Sequence, residues 1–530
     1  MKLETSKISP ILFWAPLGLC LVFWVWKAYF YPLHDFSNAY FAADFLRQGF
    51  FDSSIYDALS FNVKVLEAGF EEKFVAFYPN TPFFAFFFIP FTLLEQPEMA
   101  KLVFNILSVG LFLWALMHLQ KQLKFPRWLL LVLPITFYTV LRNSLYFGQA
   151  YFLIFFLLTE GLIAYSKKKE LAGGIYWGLA ILLKVFPVLL GLLLLLKIQL
   201  RTLVILGSIC LALVLFSLVS VDIIDWIYYL LEVFPKSNNG DFYDGFTPAA
   251  KSATMLFKNI FVYDAMLNPS PLIPSYIGYV LMQATYKTVV VGTAVLFSWK
   301  SKKDIFEQLG LWLIACMLLS PGWSSYASVL LLFPLVVLWR ETSTLKLGHR
   351  IAFLGLIFLY SNIPLAFFLK LPLFLKFPKV YVLLTIFFYY RYLSPSIANR
   401  KEPKMLLITP VFAGFILLGL ISPKPPQNNY VSNEIKDVLI ADYNVQDGYL
   451  VYKYWMAPAP LHKQTTIAIA TYDTIHVNIQ NNQVYYKNQQ LTKTKSNKLK
   501  PVLVNKKEVY YLSDQNRGLG FYTLLKIKLP

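Results

Sequence analysis

Long apolar runs follow one another from residue 11 to about residue 421, among them 11–26 and 131–141. A bilayer can absorb such a series, because its hydrocarbon core of about 30 Å takes about 20 apolar residues per helical crossing. The composition leaves little for a water-facing surface: of 530 residues, 57% are apolar, 18% aromatic and only 15% charged, with a mean hydropathy of +0.54. A string of soluble domains is excluded, and an all-α polytopic membrane protein is expected.

Apolar segments near 11–31, 77–95, 100–120, 128–147, 149–165, 171–196, 202–220, 274–298, 306–320, 323–339, 351–369, 371–390 and 405–421 predict about 11–13 transmembrane segments. Several are short for a straight crossing, which predicts tilted, broken or re-entrant helices. The first segment, rich in Trp and Phe and without a small-residue cleavage site, reads as a retained helix.

The formal charge of +19 resembles a nucleic-acid signal until its placement is considered. Lys and Arg gather in short connectors at 197–201, 300–303, 340–350 and 391–404, as at a cytoplasmic membrane face, so no nucleic-acid partner is expected. The long connectors are acidic: 32–76 carries seven acids against three bases, and 221–273 six against three. Both are expected on the extracytoplasmic side of the cytoplasmic (inner) membrane. The cluster Lys167–Lys169 breaks the alternation unless one segment between 77 and 165 is re-entrant.

Two domains follow: 1–424, the membrane core, and 425–530, a small extracytoplasmic β-rich domain of unassigned role. Pro423, Pro425 and Pro426 separate them. Alternation at Ile467 and Ile469, again at Ile475, Val477 and Ile479, and the segments 484–486, 508–512 and 521–529 predict strands.

Cys20, Cys210 and Cys316 all lie in apolar sequence, and five histidines without ligand spacing give no transition-metal site. Chemistry must come from polar residues at the edges and breaks of the apolar runs. Asp35, just beyond the first span, could take a proton from a hydroxyl, coordinate a divalent cation, or simply cap a helix. His34 could orient that carboxylate or meet a phosphate. Residues 37–48 predict a short helix that carries Tyr40 and stops at Gly49. In FYPNTPFFAFFFIP, the prolines interrupt an apolar helix and place Tyr78 and Asn80 near the same outer face.

Arg142, Asn143, Gly148 and Gln149 break the apolar sequence, as expected of a polar site at a helix interruption. Lys184 lies deep in an apolar run, where it must pair, snorkel or face a wet cavity. Gly174 and Gly178 predict close helix packing. SPGWSSYASVLLLFP, at 320–334, is a further break in which Trp323 could stack on a sugar and Ser324, Ser325 and Tyr326 offer hydrogen bonds. Asp222, Asp225, Asp241 and Asp244 could supply a second acid or be solvated loop residues.

These segments resemble glycosyltransferase family 87, polytopic GT-C enzymes that include mannosyltransferases using polyprenyl-phosphate mannose. The similar pieces are D-F-x3-Y-x-A-A at 35–43 with Gly49 and Tyr56, YPNTP at 78–82, GQ at 148–149 and AGGIYWGLAILLKVFP at 172–187. The resemblance implies a GT-C-like helical bundle that transfers a hexose from a polyprenyl-phosphate sugar donor to a glycan or glycolipid acceptor at the outer membrane face. It also implies that Asp35 is the general base and Lys184 the family's membrane-embedded lysine; the reading of the residues themselves adds His34, Tyr40, Tyr78, Asn80, Arg142, Gln149, Trp323 and Tyr326 as groups expected around the substrates. One base and a phosphate leaving group favour inversion. A transporter or flippase of lipid-linked sugars is the alternative, and a structural envelope protein a third; the first would show two inverted halves, the second would tolerate loss of Asp35 and Lys184.

Overall fold

The computed structural model describes residues 11–70, 73–197, 199–240, 246–264, 268–299, 304–393, 417, 439–456, 461–494, 496–514, 520 and 522–529. It is a mostly helical, multi-span bundle with a separate β-rich domain at the carboxyl end. The expected span at 405–421, all but Leu417, and the 424/425 boundary lie outside the described residues.

The helices in chain order are α1 (Ile11–Tyr29), α2 (Asp35–Gln48), α3 (Ala58–Glu67), α4 (Pro82–Phe88), α5 (Pro97–Leu123), α6 (Leu129–Thr136), α7 (Tyr138–Tyr146), α8 (Tyr151–Ser166), α9 (Glu170–Leu183) and α10 (Leu190–Leu196). They continue with α11 (Leu200–Ser217), α12 (Ile223–Tyr228), α13 (Phe234–Asn238), α14 (Ala253–Phe261), α15 (Tyr276–Ser298), α16 (Ile305–Leu319), α17 (Leu332–Leu338), α18 (Leu347–Asn362) and α19 (Pro378–Leu393).

Four of them, α1, α5, α11 and α15, are long and apolar enough to cross a bilayer, and α6 with α7 forms a fifth apolar unit bent by 66°. Pro82–Leu93, α8, α9, Phe186–Leu196, α16 and Ser325–Leu338 are apolar helices of 10–17 residues. At about 1.5 Å per residue such helices fall short of the about 30 Å core when upright. The bend between α6 and α7 falls at Phe137, inside one apolar run of the sequence. The connector 221–273 proves to be largely helical: Asp222, Thr247 and Ser252 each cap a short helix by accepting from a backbone N–H.

Small residues set the packing of the first half. An added Cβ at Gly174 would lie 2.5 Å from Ile209, and one at Gly178 would lie 3.0 Å from it, so α9 meets α11 at close range as expected. Trp177, fully buried, donates its indole N–H to the Leu158 carbonyl at 3.2 Å and ties α9 to α8.

In the β domain, β1 (Leu439–Gln446), β2 (Tyr449–Met456) and β3 (Leu461–Ala468) form one antiparallel sheet. β4 (Tyr472–Asp473), β8 (Lys498–Val504), β9 (Glu508–Ser513) and β10 (Thr523–Lys528) form a second in the order β10-β9-β8-β4, and β5 (Val477–Gln480), β6 (Gln483–Tyr486) and β7 (Gln489–Gln490) a third. Alternation sends Leu512 and Leu524 of the middle sheet toward Leu450 and Tyr452, and Tyr511 and Leu525 toward Val477 and Val484. Leu59 of α3 joins the first of these cores, so the domain rests on the loop that follows α2.

Candidate active site

The α2 helix begins at Asp35, and Gly49 ends it in the left-handed region at φ 79°, where glycine costs little. His34 precedes it at φ 51°, a backbone conformation that costs a residue with a Cβ about 1–3 kcal/mol. Neighbouring contacts hold it there. Ser37 Oγ donates to the His34 carbonyl at 2.5 Å and to Phe74 O at 2.8 Å, and Lys101 Nζ from α5 donates to Pro32 O at 2.9 Å and Tyr31 O at 3.3 Å. Lys101 is 1% exposed, and sequence reasoning missed it; a lysine in the first turns of an apolar helix reads as an interfacial anchor.

Three donors converge on the Asp35 carboxylate. His34 Nδ1 lies 2.9 Å from Oδ1, and since an ionised carboxylate only accepts, that nitrogen carries the proton. Gln149 Nε2 donates to Oδ2 at 2.7 Å and the Tyr326 hydroxyl to the same oxygen at 3.0 Å. The His34 ring stacks on Phe147 at 3.8 Å and 10°. The Asp35 side chain keeps 26% of its surface open, so another group can still reach it. Burial pushes this carboxyl up, but the contacts with His34, Tyr326 and Gln149 outweigh it and hold the group below the usual carboxylate value.

The turn between α7 and α8 sets Gln149. Gly148 at φ +62° has a position where a Cβ would lie 2.7 Å from Phe36 Cβ, so only glycine lets the turn sit directly on α2. On its other side, Asn143 donates to Ser325 Oγ at 2.8 Å and accepts from Arg142 Nε at 3.1 Å. Ser325 opens the 3-10 helix Ser325–Leu331, whose second residue is Tyr326. Arg142 also lies over the Tyr138 ring, and its guanidinium has no carboxylate partner among the described residues.

Lys184 occupies the break between α9 and the 3-10 helix Phe186–Leu189. Its Nζ donates to Asn80 Oδ1 at 2.7 Å, lies over the Phe84 and Tyr151 rings, and is near enough to Asp35 to feel its charge. Asn80 is fixed by Phe77 O at 2.8 Å, and its carbonyl accepts from Tyr56 at 3.1 Å. Tyr151 packs between Tyr326, Trp323 and Phe186, with ring centroids 5.4–6.4 Å away. Tyr151 was not singled out from sequence, because an aromatic opening an apolar helix looks like ordinary core.

The structure therefore gathers Asp35, His34, Gln149 and Tyr326 in direct contact, with Lys184, Asn80 and Trp323 linked through Tyr151, and Arg142 through Asn143 and Ser325. Tyr40 stands apart: its buried hydroxyl donates to Leu94 O at 3.0 Å and Glu95 O at 3.2 Å, anchoring α2. Tyr78 lies two residues before Asn80 and forms the cis Tyr78–Pro79 peptide bond. Asp222 and Asp225 group with Asp52 rather than with Asp35, while Asp241 and Asp244 lie outside the described residues. No group of three metal-ligating side chains occurs among the described residues.

A carboxylate fixed by three donors, with an amine nearby and aromatic walls, suits proton removal beside an anion. The family model of Glycosyltransferase family 87 matches residues 77–321. Residues 77–321 are a glycosyltransferase family 87 segment. The family 87 segment contains Tyr78, Asn80, Arg142, Gln149 and Lys184, whereas His34, Asp35 and Tyr40 precede it and Trp323 and Tyr326 follow it. No curated protein and no solved structure matches the chain.

Proposed function

We propose that this family 87 chain transfers a hexose from a polyprenyl-phosphate sugar to a hydroxyl of a glycan or glycolipid at the outer face of the cytoplasmic membrane. The observation that carries the reading is the Asp35 carboxylate, held by His34, Gln149 and Tyr326 with one edge open. Ionised and oriented, it would accept the proton of the acceptor hydroxyl as that oxygen attacks the anomeric carbon. The bond from that carbon to the phosphate oxygen breaks, and the lipid phosphate departs with the electron pair. Lys184 or Arg142 would balance the charge on the phosphate, and a cation near a developing anion is the larger electrostatic contribution.

Trp323 and Tyr151 offer aromatic faces for a sugar ring, and His34 orients the base. A single base and a displaced phosphate favour inversion at the anomeric carbon. Mannose is one candidate hexose, on the resemblance alone. The test is reconstitution of the purified chain with a panel of polyprenyl-phosphate sugars and acceptor hydroxyls, with mass analysis and NMR of the anomeric linkage. One transferred hexose with inverted configuration supports the reading; absence of transfer from every donor, with the protein folded, contradicts it.

A further inference from the structure

The connector that follows α11 carries an apolar face turned outward. α12, the π-helical turn Tyr229–Val233 and α13 run on as one helix over 223–238, with right-handed helical backbone at both joins. Ile223, Ile224, Ile227, Leu230, Leu231 and Phe234 fall at three- and four-residue spacing and are 37–69% exposed. Asp225, Trp226, Tyr229 and Val233, on the opposite side, are buried. The helix is two-faced, with its apolar stripe away from the bundle.

Its place at the end of a span decides what covers that stripe. α11 has 18 residues, about 27 Å at about 1.5 Å per residue, close to the thickness of the hydrocarbon core. Leu215, Phe216 and Val219 at its end are 55–80% exposed, so the apolar surface runs from the span toward Ile223. Asp222 caps the new helix by accepting from Ile224 N at 2.8 Å. Trp226 Nε1 donates to Oγ of Ser217, the last residue of α11, at 3.1 Å, which holds the helix at the level where the span ends. Glu232, exposed and paired with Lys236 at 2.9 Å, gives it a polar edge beside the stripe.

The inner face bears on the candidate site. The Tyr229 hydroxyl donates to Pro79 O at 3.4 Å, and its ring lies 5.8 Å from Tyr56, whose hydroxyl donates to the Asn80 carbonyl at 3.1 Å. In water, six large apolar side chains in one stripe would form a patch of the kind that drives association. At a membrane boundary the same stripe is an anchor, because acyl chains cover it while the polar edge stays wet. We infer that this stripe is seated in the phospholipid leaflet on the side of the Asp35 site, so that 223–238 is an interfacial helix and not part of a solvated loop. Continuity with the exposed end of α11 favours lipid over a second copy of the chain as the covering partner. The inference does not depend on Asp35 being a base.

The full-length chain is placed in phosphatidylcholine nanodiscs at one molecule per disc, so that no second copy can cover the stripe. A diazirine-bearing phosphatidylcholine is photolysed beside the unsubstituted protein, and adducts are mapped by mass spectrometry. They are expected on Ile223, Ile224, Ile227, Leu230 and Leu231, and not on Trp226, Tyr229 or Val233. In parallel, Ile224→Cys, Leu231→Cys and Glu232→Cys meet a charged, membrane-impermeant maleimide, with the unsubstituted protein giving the background from Cys20, Cys210 and Cys316. Ile224→Cys and Leu231→Cys should react about tenfold or more slowly than Glu232→Cys, and equally fast once the protein is unfolded. The photolysis needs no variant, which covers the case of a poorly folded one. Lipid adducts confined to other helices, or Leu231→Cys reacting as fast as its neighbour Glu232→Cys, overturns the proposal.

Discussion

Gln149 Nε2 and Asp35 Oδ2 meet at 2.7 Å across 114 residues of sequence, joining the turn before α8 to the first residue of α2. The amide orients the carboxylate without neutralising it. A hydrogen bond to a charged group is worth about 1.5–3 kcal/mol. Gln149→Ala should therefore lower kcat by about 10–100-fold, at about 1.4 kcal/mol per tenfold, with little change in donor KM. Gln149→Glu should be worse, because it sets two carboxylates side by side. Steady-state transfer kinetics in a fixed lipid mixture check both.

Gly148 tests the turn itself. Alanine would place a methyl group 2.7 Å from Phe36 Cβ and hold φ at +62°. The expected cost is about 1–3 kcal/mol from overpacking, with further loss from the backbone conformation. Gly148→Ala should show a lower Tm and reduced kcat together, measured by thermal unfolding and transfer assay on one preparation.

Acid pH probes the donors around Asp35. Burial raises its carboxyl, yet His34, Tyr326 and Gln149 hold it below the ordinary 3.8. A depressed native value contributes stability that is fully present above the unfolded value and lost as pH falls through the native one. The limb of kcat/KM due to Asp35 should thus lie below about pH 4. Tyr326→Phe or Gln149→Ala should move it upward. A pH–rate profile of the three proteins gives the comparison.

The opposite sign applies to Asp225. Burial, then its neighbours Asp222 and Asp52, push its carboxyl up to about 6. A raised native value makes the contribution present below the unfolded value and lost as pH rises through about 6. Asp225→Asn should gain Tm over wild type as pH rises from 5 to 7.5, and show little advantage at pH 4. Thermal unfolding against pH reads this directly.

Lys184 separates binding from chemistry. Replacing it with Met removes the amine from Asn80 and leaves an apolar chain between the Phe84 and Tyr151 rings. Donor KM should rise about tenfold or more while Tm is kept or raised, since loss of a buried cation is not costly. Lys184→Arg should recover part of the affinity but not full activity, because a planar fork does not fit the Asn80 amide as an ammonium does.

Much of the bundle was legible because apolar runs and polar interruptions are local. The α2 helix and its Gly49 stop follow from spacing and from glycine's access to positive φ. Asp35, Gln149 and Tyr326 each stood out as polar residues at apolar breaks, yet that they share one oxygen pair depends on three distant segments folding together. Lys101 was not legible, since its two carbonyl partners lie 69 and 70 residues away. Tyr40 pointed the other way, because only tertiary packing brings the Leu94 and Glu95 carbonyls to its hydroxyl.

The β1–β2 hairpin was also passed over, although Asp447 and Gly448 between its strands have φ 48° and 76°. Asp-Gly at such a turn is a recognised hairpin signal. It was hidden by the polar, Asn- and Lys-rich composition around it. Crossing number was the least legible feature, since breaks at Pro134, Gly148 and Lys184 divide apolar runs into helices too short for an upright span.

Single-turnover transfer by Asp35→Asn, with Asp35→Glu beside it, tests the role of the carboxylate most directly. The amide preserves shape and can still meet Tyr326 and Gln149, but it cannot hold a proton taken from the acceptor. Asp35→Asn should lose about a thousandfold or more in the chemical step, Asp35→Glu should recover part of it, and donor binding should stay within a few-fold of wild type in both. Transfer by folded Asp35→Asn at the wild-type rate would contradict this role.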